Sequence, residues 1–391
     1  MKLWKSVEAL KKDVIMLRRD LHMIPEDGFK EYKTSAYIEA YLKTLEIDHL
    51  KKVADTGWIA LFKGNNPKRT LGFRADMDGL SVEEATGVEF KSIHDGYMHA
   101  CGHDGHMAIA LAFSKWVSDH KASLEDNVVV IYQPAEEGPG GAEIIVKEGA
   151  LEEFKLDAIF ALHLFPEIEE GVFGVKDGPI MAMPSEFDID IIGKSAHGAK
   201  PHLGVDSIVI AANMLQDLQQ IVSRKIDPVD NVVLTVGRIE GGERRNVIAG
   251  KTRLEGTIRG FRLGVFDVIE VEMLKLFKAY ELQYGCQITY DFRRQYPPVI
   301  NDDILTATFN KVNGENTILV KPQMLAEDFS YYNEVAPCLF FFLGTRNENK
   351  AYIYGLHHAK FDFYEPVLLN AVQAYLNLLN YYDSFYELAE V

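Results

Sequence analysis

At 391 residues, with 47% hydrophobic and 25% charged side chains, the chain is long enough to bury a large core and to form two domains. Lys and Arg number 41 against 58 Asp and Glu, a formal charge of -17 that repels nucleic acid and anionic lipid surfaces, so small-molecule chemistry is favoured over nucleic-acid or membrane binding. Three cysteines, Cys101, Cys286 and Cys338, are too sparse and irregularly spaced for a disulfide framework, and no signal-like or membrane-spanning apolar run interrupts the sequence, so a reducing, cytoplasmic setting is expected.

Leu3, Val7, Leu10, Val14, Leu17 and Leu21 recur at helical steps and predict one amphipathic helix ending near Pro25. A second helix is expected over 34–45, then strands over 58–63 and 71–75, the latter running into Asp76 and Asp78. The stretch 99–106, HACGHDGH, follows, and 107–120 has the texture of a helix. Residues 127–133, NVVVIYQ, form a continuous apolar run expected of a buried strand, with the paired glutamates Glu136 and Glu137 in the loop at its end. A helix over 141–151 leads to another apolar strand, 158–164, which carries His163 near its end. Alternating strands and helices with uniformly apolar strands predict a mainly parallel sheet covered on both faces, an α/β architecture.

From 186 onward the strands alternate polar and apolar residues (Phe187, Ile189, Ile191), the pattern of a half-exposed sheet. Helices over 206–223 and 266–280 and strands over 232–239, 252–261 and 287–292 complete a βαββαβ unit. The apolar strand 338–343 and a helix from 367 onward return to the first architecture, with His357 in the loop between them. The expected organisation is a catalytic domain in two parts, 1–180 and 294–391, interrupted by an inserted α+β domain over 181–293.

The segment 99–106 is the densest chemistry in the chain, since imidazole and thiolate are the groups transition metals prefer. Cys101, His103, Glu137, His163 and His357 all fall at predicted strand ends or adjoining loops, so folding one sheet could bring them to one rim. Five ligands exceed the three or four of one catalytic zinc, and two metals sharing a ligand fit the count better.

The motifs RRDLHMIPE (18–26), RADMDGL (74–80), HACGHDGH, QPAEEGPGGA (133–142), ALHLFP (161–166), SAHGAKPHLGVD (195–206), GGERRNVIAG (241–250), LEGTIRGF (254–261), AEDFS (326–330) and GLHHAKFDF (355–363) stand in one order along nearly the whole chain. Together they resemble peptidase family M20 amidohydrolases, of the subfamily that hydrolyses N-acyl amino acids. Within it the run over 344–363 is most similar to the N-acetyldiaminopimelate deacetylases of lysine and cell-wall biosynthesis.

The resemblance implies two divalent ions per subunit, zinc, manganese, cobalt or nickel, with Cys101 as the bridging thiolate and His103, Glu137, His163 and His357 as the other ligands. It assigns Glu136 as catalytic acid and base. The chemistry asks for the same division, because a carboxylate bound to metal cannot also shuttle protons, so one of the two neighbours must be left for that task.

His197 matches a lid histidine that stabilises the oxyanion, with a loop-capping surface histidine as the alternative. Asn246 and Arg259 match positions facing the substrate's carboxylate, although a strand-surface salt bridge would also explain Arg259. Asp76 and Asp78 are expected to orient ligands without binding metal themselves. The implied substrate is a small N-acetyl amino acid, and the implied assembly a homo-oligomer, a dimer or larger, through the inserted domain. A general N-acyl-amino-acid amidohydrolase and a non-catalytic metal binder are the competing readings.

Overall fold

The computed structural model describes residues 1–386, so residues 387–391 of the expected second part of the catalytic domain lie outside the described residues. The chain divides into two compact units, one formed by Met1–Ile180, Ile300–Lys321 and the chain from Asp328, the other by Met181–Val299 and Pro322–Glu327.

The first unit is built on an eight-stranded sheet ordered His49–Val53, Gly57–Phe62, Asn127–Gln133, Thr70–Asp76, Ala158–Glu169, Cys338–Arg346, Phe173–Val175 and Thr317–Leu319. Four adjacent strands at its centre, Asn127–Gln133, Thr70–Asp76, Ala158–Glu169 and Cys338–Arg346, run parallel. Their near-continuous apolar runs follow from burial on both faces. The helix His103–Asp119 is one of the covering elements, and only Lys115 and Asp119 along it escape full burial. Its small residues permit this: a Cβ on Gly105 would come within 2.7 Å of the Leu164 side chain. Phe73 on the sheet locks helix to strand, with ring centres 4.6 Å from Phe113, 5.3 Å from Phe160 and 4.8 Å from Tyr375 of the helix Leu368–Tyr381. Parallel strands deliver their C-terminal ends to one edge, and Asp76 and Gln133 close two of them there.

The second unit is a four-stranded antiparallel sheet ordered Gln287–Arg294, Met183–Ile192, Lys251–Gly260 and Val232–Gly241. Phe187, Ile189 and Ile191 share a core with the helices Ser207–Lys225 and Leu263–Tyr284. Asp188 and Asp190, which alternate with them, turn the other way and pair with Arg253 and Arg293. The element order is βαββαβ.

The N-terminal helix differs from the expectation. It is two helices, Lys5–Ala9 and Lys11–His22, because Leu10 has a ψ of -3° and its amide turns back three residues to the Val7 carbonyl. The helix Gly141–Lys147 is shorter than expected, and the strand Ala158–Glu169 runs beyond its expected end. Among the described residues no helix is long and apolar enough to cross a membrane.

Candidate metal centre

Within the first unit, donor atoms of Cys101, His103 and His163 lie within 4.8 Å of one another, and so do those of Cys101, Glu137 and His357. The two groups share Cys101, whose Sγ stands 3.3 Å from His163 Nε2. His357 Nε2 stands 3.2 Å from Glu137 Oε1. The structure thus brings together all five residues expected to bind metal, from segments up to 256 positions apart (101 to 357).

Backbone carbonyls orient the imidazoles. His163 Nδ1 is 2.7 Å from the Leu164 carbonyl and His103 Nδ1 is 2.9 Å from the Asp78 carbonyl. A carbonyl only accepts, so each Nδ1 carries a proton and each Nε2 is the nitrogen left to face the centre. His106 is committed elsewhere: its Nε2 accepts from the Leu164 amide at 2.9 Å and its Nδ1 donates to Asp76 Oδ1 at 2.6 Å. His358 stacks on Tyr354 with ring centres 4.6 Å apart, and its Nδ1 accepts the Lys360 amide, outside the cluster.

Asp78 serves two loops. One carboxylate oxygen lies 3.2 Å from His103 Nδ1 and the other accepts the Glu137 amide at 2.9 Å. Asp76 lies in an ion pair with Arg74 at 2.6 Å, which secures it beside His106. His357 has a φ of 62°, a left-handed conformation costly for a side chain with a Cβ, and its amide donates to the Ala100 carbonyl at 2.8 Å.

Charge decides what the cluster can hold. Burial pushes the Cys101 thiol well above its ordinary range, and Glu137 and Glu136 add to the rise. Burial pulls the other way on His103, yet Asp76 and Asp78 push it up to about 10. The His357 imidazole is raised through its bond to Glu137, whereas burial lowers His163 to about 3. Acidic groups therefore crowd a thiol and an imidazole that retain their protons for want of other positive charge. His103 Nε2 makes no hydrogen bond, with Asp76 Oδ1 at 3.7 Å and Glu136 Oε2 at 3.9 Å. A buried imidazole nitrogen that keeps its proton among carboxylates and a thiol is the setting a divalent transition ion fits, displacing that proton and the thiol's as it binds.

The second unit holds the remaining expected residues. His197 and Asn246 are exposed neighbours: His197 lies in a bridge with Val247, and the Gly198 amide donates to the Asn246 carbonyl at 2.7 Å. Arg259, half-buried on the strand Lys251–Gly260, bonds the Ile258 carbonyl at 3.1 Å and the Thr257 hydroxyl.

Comparison with known proteins agrees with this arrangement. The model of peptidase family M20/M25/M40 matches residues 72–381. The chain belongs to that family. N-acetyldiaminopimelate deacetylases of Brevibacillus brevis and Bacillus cytotoxicus are 40% and 41% identical to it, over 91% and 92% of this chain and 94% and 95% of theirs. The crystal structure of the Bacillus subtilis YXEP protein, described as a dinuclear metal-binding peptidase of family M20, matches with a TM-score of 0.82 at 30% identity, covering 95% of this chain and 98% of that one.

In this M20 chain the geometry also shows supports that the sequence reading did not single out. Asp328 joins Arg74 at 3.1 Å, Gln133 at 2.8 Å and the Ala142 amide at 3.0 Å, tying both ends of the glutamate loop to the sheet. Glu31 is fully buried and accepts from the Ala135 amide at 2.8 Å and the Thr56 hydroxyl at 2.6 Å. The motif AEDFS contains Asp328 without giving it a role, and nothing local marks Glu31; the groups the two acids hold lie 25 to 254 residues away.

Burial raises the Glu31 carboxyl from 4.5 to about 7 against its hydrogen bonds, with Asp78 adding to the rise. The folded state therefore holds this proton more tightly than the unfolded chain. The contribution to stability is complete below about pH 4.5 and is lost as pH rises through about 7. Glu31→Gln removes it, so the variant should gain on the wild type between pH 5 and pH 8, by a margin on the order of 3 kcal/mol or less. Urea unfolding of both proteins at the two pH values measures this, and a difference that does not change with pH would refute it.

Proposed function

We propose that this M20 enzyme hydrolyses the amide of N-acetyl-L,L-diaminopimelate, releasing acetate and diaminopimelate. The observation that carries the reading is the pair of donor groups sharing Cys101, with Glu136 beside both. The names of the two Bacillales relatives support the substrate. Cys101, His103, Glu137, His163 and His357 would hold two divalent ions, Cys101 common to both. Zinc, manganese, cobalt and nickel all suit a set of thiolate, imidazole and carboxylate. When bound, such ions polarise an amide carbonyl and make water acidic near neutral pH.

The protein's own groups do the proton work. Glu136, 6% exposed, sits at the centre with an oxygen 3.9 Å from His103 Nε2. It takes a proton from the attacking water as the new C–O bond forms at the acetyl carbon. It then gives that proton to the nitrogen as the C–N bond breaks, and the remaining proton of the acetic acid so formed passes to the released amine, leaving acetate and an ammonium group. Asp78 fixes the His103 tautomer and the Glu137 backbone while this happens. The second unit is the proposed lid and self-association domain, His197 donating to the developing oxyanion and Asn246 and Arg259 receiving the substrate's carboxylate.

Glu136 and Glu137 should fail differently. Glu136→Gln keeps metal but loses turnover by roughly 10⁴-fold or more, since one residue serves both half-steps, whereas Glu137→Gln loses metal along with activity. Metal content and acetate release on both variants decide this, and the reverse pattern would exchange the two roles. His197→Ala should lower turnover roughly 10²- to 10³-fold at unchanged metal content, and near-normal turnover would return it to the loop-capping role.

The far end of the substrate is a second amino-acid head, and a site that pairs buried polar groups rejects analogues lacking them more strongly than an apolar pocket rejects a missing methylene. Catalytic efficiency should therefore be much higher on N-acetyl-L,L-diaminopimelate than on N-acetyl-leucine or hippurate. Equal or reversed efficiencies would identify a general N-acyl-amino-acid hydrolase.

A further inference from the structure

Glu31 occupies the N-cap position of the helix Tyr32–Leu42, yet its side chain makes no capping hydrogen bond there. Glu26 performs that task, one of its carboxylate oxygens accepting the Lys33 and Thr34 amides at 2.9 and 3.0 Å. The Glu31 carboxyl instead reaches across 104 positions of sequence to the Ala135 amide, at 2.8 Å, and takes the Thr56 hydroxyl on its other oxygen. Ala135 is the residue before Glu136, and its φ of 55° puts a residue bearing a Cβ in the left-handed region. Such a conformation persists only where its surroundings hold it.

The surroundings are arranged to do so. The Ala135 carbonyl accepts the amides of Gly140 and Gly141, both at 3.1 Å, which closes the loop on itself. Gly28, three residues before Glu31, lets the two loops meet: a Cβ there would fall 2.3 Å from the Gly138 carbonyl oxygen and 2.8 Å from the Ala135 Cβ. Without the Glu31 carboxyl the Ala135 amide would be a buried donor with no acceptor in a conformation that costs energy to keep.

We propose that Glu31 is a positioning residue for the reaction, its buried carboxyl gripping the Ala135 amide and so fixing the backbone from which Glu136 and Glu137 project. The inference rests on the assignment of Glu136 as the catalytic acid and base. Glu31 is fully buried and bonds none of the expected ligands, so it acts through one peptide group. A displacement of about 1 Å in a catalytic group can cost as much as about 10²-fold in rate.

The test compares wild type, Glu31→Ala, Glu31→Asp, Glu31→Gln and Glu136→Gln, loaded with the same divalent metal and assayed for metal content, kcat and KM on N-acetyl-L,L-diaminopimelate. Hydrogen exchange of peptides covering 133–142 is followed on the metal-free proteins. Glu31→Ala should lower kcat roughly 10- to 100-fold with KM within about threefold. The 133–142 peptides should exchange at least about tenfold faster while those of 207–225 are unchanged.

Glu31→Gln keeps an oxygen for the Ala135 amide and should hold both kcat and exchange within about threefold of wild type. If Glu31→Ala does not fold, Glu31→Asp, which draws the carboxyl back by one methylene, carries the same expectation. Normal kcat and exchange in Glu31→Ala or Glu31→Asp overturns the proposal. A Glu31→Gln variant as impaired as Glu31→Ala also overturns it, because the acceptor would not be what matters. An active Glu136→Gln overturns the functional assignment and the proposal together, whereas an inert Glu136→Gln beside fully active Glu31 variants overturns the proposal alone.

Discussion

Four carboxylates, Asp76, Asp78, Glu136 and Glu137, converge on the buried imidazole of His103, and the rest of the first unit is arranged around tolerating that concentration of charge. Anionic groups taken out of water are stable only where countercharge or hydrogen-bond donors replace the solvent. Asp76 is supplied by His103, His106 and Arg74, and these hold its carboxyl well below the usual range although burial opposes them. Asp78 is supplied by the Glu137 amide and the His103 ring. What these partners leave unbalanced is negative charge around Cys101, His103 and Glu137, where divalent ions are the natural complement.

The sheet makes such a centre possible with Cys101, His103 and His163 buried and only His357 exposed among its donors. Its four parallel strands run toward one edge, and three of them contribute Asp76, Gln133 and His163 near it, residues paired in the ladder through their backbones with side chains left for the site. The helix His103–Asp119 starts at the same place, its first residue a proposed ligand and the remainder packed in the core. Its buried, small-residue packing against Leu164 and Phe363 gives His103 a rigid mount. Rigidity matters because a metal site tolerates little drift in its donors.

How far the sequence could be read depended on the range of each interaction. NVVVIYQ at Asn127–Gln133 was legible as a buried strand because every residue in it reports the same environment, and HACGHDGH was legible because its donors lie within eight positions. The alternation at Phe187, Ile189 and Ile191 announced a sheet with one charged face for the same reason. The three-residue strands Phe173–Val175 and Thr317–Leu319 are too short to show a period, and they pair at the sheet's far edge. The break at Leu10 is invisible to periodicity because the apolar stripe continues through it. Glu31 could not be distinguished from other acids by pattern, and AEDFS marked Asp328 only as part of a motif without a role, since what defines both is burial against amides far away in the chain.

The order of the chain adds a constraint of its own. Cys101, His103, Glu137 and His163 precede the inserted unit and His357 follows it, so the donor set is complete only after the chain has left the first unit, formed a second core and returned. The return is made by the strand Cys338–Arg346, which pairs in parallel with Ala158–Glu169 and sets Phe342 opposite His163. Closing so long a loop costs little more than closing a short one, because the entropic penalty grows only with the logarithm of length. Two independent cores make the insertion cheaper still, since a self-contained unit need not disturb the strands on either side of it. His357 then enters in a left-handed conformation, held by the Ala100 carbonyl one residue before Cys101. That hydrogen bond joins the last donor segment to the first, so the donor set is completed by a loop that lies beyond the final strand of the sheet in the chain.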